Sequence, residues 1–177
     1  RIRLVIEAQP GVKRIAMLAN PSAVVYPDIR RECEQAAAKA GVVLLPTVKA
    51  TRPEELAAAF EEVKRQRPHA LIVQNDVLFF VHRERVIDFA ARAALPTMYS
   101  FTEDVEAGGL MAYAVDYPDL YSRAPTIVDK VLKGVAPGTI PIEQPTRFEF
   151  QINMKAAKKL GMKIPQSLLV QATKVIE

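Results

Sequence analysis

Short apolar runs alternate along this chain with longer stretches whose apolar residues recur every three or four positions. The first pattern suits buried strands and the second amphipathic helices; their alternation predicts an α/β domain with a mostly parallel sheet. Ile2, Leu4, Val5 and Ile6 read as the tail of a helix ended by Pro10-Gly11. The run from Ile15 to Ala19 is too short for a helix and predicts the first strand. A helix then runs from Val25 or Pro27 to Ala40, with Gly41 as its left-handed stop. Val42 to Val48 reads as the second strand. Thr51 as N-cap and Pro53 in the first turn open the next helix, with Leu56, Phe60 and Val63 on one face. Ala70 to Val73 is the third strand and Phe79 to Ala94 the third helix. Thr97 to Ser100 is the fourth strand, Thr102 to Ala107 a helical turn, Leu110 to Val115 the fifth strand and Asp119 to Lys133 the fifth helix.

Beyond Gly134 the pattern changes. Residues 135–145 carry three prolines and read as an extended connector. Phe148, Phe150 and Ile152 alternate, which predicts a half-exposed strand. Asn153 caps a short helix over Met154–Leu160 that Gly161 stops, and LLVQATKVI reads as a last extended segment. The expected organisation is a Rossmann-like lobe over residues 1–134, a doubly wound five-stranded sheet in the order 2-1-3-4-5, followed by a connector and strand-helix-strand tail over 135–177.

Composition narrows the class. With 177 residues, half of them hydrophobic, the chain can build a real core, and no apolar run is long enough to span a bilayer. The formal charge of +4 comes from basic residues scattered on helix faces, without the aromatic-interleaved cluster that nucleic acid requires. Cys33 is the only cysteine, so no internal disulfide forms, and mid-helix it reads as a small buried residue. The start, RIRLVIEAQPGVKR, lacks an initiator Met and an apolar leader, which suggests a processed product or an excised domain.

In open α/β sheets small ligands bind at the carboxyl ends of the strands, where strand order reverses. The expected order places Asn20-Pro21-Ser22 and Asn75-Asp76 there, and adds Tyr99-Ser100-Phe101 and Asp116-Tyr117 on the same edge. Asn20, Ser22 and the helix amides behind them can hold a carboxylate. Asp116 can pair with an ammonium, and Tyr99, Phe101 and Tyr117 can stack on an apolar or aromatic group. Each residue also has a purely structural reading: Asn20, Ser22, Asp76 and Asp116 as caps, Tyr99 as core lining. Their convergence carries the weight.

Catalytic chemistry finds little support. There is no dinucleotide fingerprint and no Walker A motif, and His69 and His82 lack metal-ligand spacing. A phospho-receiver needs clustered acids after strand one, where this chain has Ala-Asn-Pro. A two-cysteine racemase is excluded by the lone cysteine. Neither cofactor nor metal is expected.

The stretches GVKRIAMLANP, PEELAAAF, EAGGLMAYAVDYPDLYSRAPTIVDKVLKG and PIEQPTRFEFQINMKAAKKLGMKIPQSLL resemble the ABC transporter substrate-binding proteins that include tryptophan and aromatic amino-acid binders. The resemblance covers nearly the whole chain. It implies one lobe of a type I periplasmic-binding-protein fold, a small organic solute, an ABC permease as partner, and an extracytoplasmic location, lipid-anchored in a Gram-positive organism. It also implies that only the carboxyl-terminal portion of such a protein is here. Solute binding would then be weak in isolation, and apolar surface normally covered by the first lobe would favour self-association. Two other classes compete: an effector-sensing domain of a regulator or receptor, and, with less support, an enzyme on a flavodoxin-like fold.

Overall fold

The computed structural model describes residues 1–177. One sheet organises the chain. Its strands are β1 (Arg14–Ala19), β2 (Val43–Leu44), β3 (Val48–Lys49), β4 (Ala70–Val73), β5 (Thr97–Tyr99), β6 (Met111–Val115), β7 (Phe148–Asn153) and β8 (Lys174–Ile176). They lie in the order β2-β1-β4-β5-β6-β7-β8, with β3 also paired to β1. All pairs are parallel except β6–β7, where Val115 faces Phe148 and Met111 faces Ile152. The 2-1-3-4-5 order expected for the first five strands is therefore present, and the tail widens the same sheet.

The helices are α1 (Ile2–Ala8), α2 (Tyr26–Lys39), α3 (Leu56–Gln66), α4 (Val77–Val81), α5 (Arg83–Arg92), α6 (Thr102–Glu106), α7 (Tyr117–Leu132), α8 (Met154–Lys159) and α9 (Gln166–Gln171). On one face of the sheet α1, α2, α8 and α9 bury Leu4, Ala37, Ala157 and Leu168 against Ile15, Ile72, Met98 and Ile152. On the other, α3 to α6 bury Leu56, Phe79, Phe89 and Val105 against Leu18, Leu71, Val73 and Ala112. The crossover helices do not alternate one by one between faces. Of the crossover helices between β1 and β6, only α2 uses the first face; the change of face falls between β1 and β4, which makes that gap the switch point.

Four expected elements differ. The second strand splits into β2 and β3, because Pro46 has no N–H to continue the ladder; Leu45 donates to Ile15 O before it and Ala50 to Ala19 O after it. The third helix starts at Val77, where Asp76 caps it, and breaks at His82, whose φ and ψ of −103° and 25° are not helical. β7 is not half-exposed: Phe150, Gln151, Ile152 and Asn153 are all buried between neighbouring strands and α6. The segment LLVQ is helical, not extended. Ile164, Leu168 and Ala172 recur every four residues, and that spacing puts Leu168 fully inside.

Local chemistry explains most boundaries. Gly41, Gly134 and Gly161 take positive φ after α2, α7 and α8. Thr51 does not cap α3 with its side chain; its N–H and hydroxyl donate to Glu55 at 2.8 and 3.0 Å. Those bonds and Arg52 hold the Glu55 carboxyl down to about 2. In the turn before β6, a Cβ on Gly109 would lie 2.7 Å from both Asp104 O and Tyr99 Cε2, so only glycine fits.

α7 is the exception. It runs for 16 residues without burying one of them. Val128, Val131 and Leu132 are exposed on it, and Ile142 in the following connector is 96% exposed.

Candidate functional site

The edge of interest collects the residues that follow β1, β4, β5 and β6. At the switch point β1 and β4 separate. The Asn20 N–H, which would continue the ladder, donates instead to Gln74 Oε1 at 2.9 Å. Asn20 Oδ1 accepts the Ser22 N–H at 3.0 Å and so shapes the turn toward α2. Its Nδ2 donates to both Asp76 oxygens, at 3.3 and 3.2 Å. Asp76 Oδ1 also accepts the Leu78 N–H at 2.9 Å, capping α4. The Ser22 side chain is exposed. These residues thus form one hydrogen-bonded unit across the crevice.

A second unit spans β4 and β6. Asn75 Nδ2 donates to the Tyr117 hydroxyl at 3.1 Å. The Tyr117 ring lies 6.3 Å from Phe101 and 6.5 Å from Tyr121, with planes inclined by 20° and 30°. Phe101 in turn meets Phe80 at 4.7 Å, tilted by 55°. Arg83 backs this wall, with its guanidinium 5.1 Å from the Phe80 ring and Nη1 donating to Phe80 O. Asp116 Oδ1 accepts the Asp119 N–H at 2.9 Å and caps α7. Asp116 also bears on Glu149 of β7, whose carboxyl is raised first by desolvation and then by that neighbouring charge.

The structure therefore places Asn20, Ser22, Asn75, Asp76, Phe101, Asp116 and Tyr117 at one sheet edge, in two hydrogen-bonded units with Asp116 as the cap of α7. Tyr99 does not join them. Position 99 turns into the α3–α6 face, where the ring is 2% exposed beside Gly109 and burial raises the hydroxyl pKa. It also lines a cavity of about 520 Å³ between α5, the α6–β6 turn and α8. That cavity lies away from the edge, and its charged residues, such as Glu106 and Lys155, sit exposed at its rim. It lacks the converging polar groups that mark the edge as the better candidate. Sequence reasoning missed Gln74, Phe80, Arg83 and Tyr121. A helix read from Val77 would have drawn Phe80 and Arg83 toward the edge. No local signal marked Gln74.

Three passages of chain crowd the carboxyl end of β6. Arg1 Nε donates to Tyr113 O at 3.0 Å. α7 leaves directly after Asp116, whose N–H donates to Arg147 O as the chain returns into β7. Arg123 ties α7 to the connector through Thr146 at 2.9 Å and Glu143 at 3.8 Å.

An open, mostly parallel sheet with a polar and aromatic crevice at its switch point defines an α/β lobe, and the comparisons name its kind. The profile of the ABC transporter substrate binding proteins matches residues 1–176, and the chain belongs to that family. A conserved domain protein from Vibrio cholerae O1 biovar El Tor superposes with a TM-score of 0.91 at 25% identity, over 98% of this chain and 58% of that one. An ABC domain from Streptococcus pneumoniae, solved in complex with L-Trp, superposes at 0.90 with 28% identity, over 99% of this chain and 60% of that one. A ligand-free, open substrate-binding protein with adhesive properties from Clostridium difficile shares the fold at 0.72 and 20% identity, over 99% of this chain and 58% of that one. The chain thus spans about three-fifths of the length of these solved relatives. Comparison with curated proteins returned no match.

Proposed function

We propose that this chain is the carboxyl-terminal lobe of an extracytoplasmic solute receptor that serves an ABC importer, and that its solute is an amino acid with an apolar or aromatic side chain. The observation that carries the reading is the meeting of two polar pairs, Asn20–Asp76 and Asn75–Tyr117, with the Phe80–Phe101–Tyr117–Tyr121 wall at one sheet edge. The Ser22 hydroxyl and the positive end of α2 suit the solute carboxylate. Asp116 Oδ2 accepts no hydrogen bond and suits the ammonium. The aromatic wall suits the side chain. A relative with L-Trp bound supports this choice of solute class. Membership of the ABC transporter substrate-binding family supports a membrane permease as the partner.

Two observations support a second lobe as the other wall. α7 has an apolar face with nothing against it, and three chain passages meet beside β6, as strands joining two lobes would. With half of the cleft, the isolated chain is expected to bind in the millimolar range, and a two-lobed protein in the micromolar range. Titration of the chain with the twenty amino acids, followed by heteronuclear NMR, tests this. Shifts confined to Asn20, Asn75, Phe101 and Tyr117 are expected with aromatic amino acids. Micromolar binding by the chain alone would refute the half-cleft reading, and no shift at this edge with any amino acid would refute the solute class.

A further inference from the structure

Gln74 follows β4 and is 1% exposed. Its Oε1 accepts the Asn20 N–H, so the carboxamide fills the place of the next backbone carbonyl between β1 and β4. The side chain therefore lies within the switch-point crevice. The bond to Asn20 also fixes its orientation, since a flipped amide would set two donors face to face. Nε2 is left buried and without a partner. Native proteins leave few buried donors unpaired, and an acceptor from outside the chain removes the penalty.

The surroundings indicate which acceptor. α2 opens shortly after the turn, at Tyr26, and no side chain caps its N-terminus. Ser22 adds an exposed side chain there. The nearby Asp76 carboxylate is turned onto Asn20 Nδ2 and the Leu78 N–H. Unpaired donors and the positive end of a helix suit an anion. We propose that Gln74 Nε2 donates to the carboxylate of the solute and selects amino acids over the corresponding amines. The proposal rests on the receptor reading above and adds the residue that recognises the acid group. Access requires the Asn20–Ser22 turn to shift, and the contacts holding it to Asp76 are long, at 3.3 and 3.2 Å.

NMR on the isotope-labelled chain, which detects weak binding, provides the test. L-tryptophan is expected to shift the Gln74 side-chain NH2 pair together with the amides of Asn20 and Ser22. Tryptamine, which lacks the carboxylate, is expected to leave the NH2 pair in place. Gln74→Glu keeps an acceptor for the Asn20 N–H and removes the donor. It is expected to weaken L-tryptophan by about tenfold or more and tryptamine by less than about threefold. Gln74→Met buries no acid and should show the same split if the Glu variant does not fold. A folded variant with undiminished L-tryptophan affinity would overturn this inference and leave the receptor reading standing. Absence of shifts at Asn20, Asn75 and Tyr117 with either probe would overturn both.

Discussion

Asp104 is 3% exposed, and burial pushes its carboxyl up to about 7, with the Phe101 backbone only partly offsetting this. The folded state thus keeps a proton that the unfolded chain has already released above about pH 4. Stability at this residue is present at low pH and is lost as pH rises through about 7, by up to a few kcal/mol. Asp104→Asn should flatten the fall in melting temperature between about pH 5 and about pH 8 and stabilise the protein at the upper end; thermal denaturation across pH measures both. Gly109 is the complementary case. Gly109→Ala would drive a methyl into Asp104 O and the Tyr99 ring, and should cost about 1–3 kcal/mol in denaturant unfolding. At this scale the sequence discloses what acts locally. Asp116 and Asn153 read as caps because each bonds an N–H three residues ahead. Gln74 stayed hidden because its partner lies 54 residues away.

Elements were legible where burial and period agree. β1, β4 and β6 are short apolar runs between helices, and each appears where the pattern puts it. The tail misled because Leu168, Leu169 and Val170 form an apolar triplet, whereas the four-residue spacing from Ile164 to Ala172 is what packs. β7 misled because its polar Gln151 and Asn153 are buried by neighbours that no local pattern announces. Asp116 permits a test of cap against contact. Loss of the cap in Asp116→Ala should destabilise the chain by about 1 kcal/mol, measured by denaturant unfolding. If Asp116 also meets the solute ammonium, Asp116→Asn, which still caps, should keep the stability but lower solute affinity in an NMR titration.

For the whole molecule, the order of the first five strands was readable because crossovers through helices leave few alternatives. The addition of β7 and β8 was not, since it depends on where the chain returns after the exposed connector. α7 shows the same dependence on what lies beyond local pattern. Its Val128, Val131 and Leu132 are exposed, so Val128→Lys with Leu132→Glu should leave the melting temperature within about 2 °C while reducing any self-association seen by analytical ultracentrifugation. The antiparallel seat of β7 also bears on biosynthesis. As the chain leaves the ribosome, β6 emerges before its partner, and α7 and the connector must follow before Phe148 to Asn153 can cover its open side. For that interval an apolar edge offers unpaired backbone groups to other nascent chains. Translation that stalls within α7 would therefore release a species more prone to aggregate than one carried through β8.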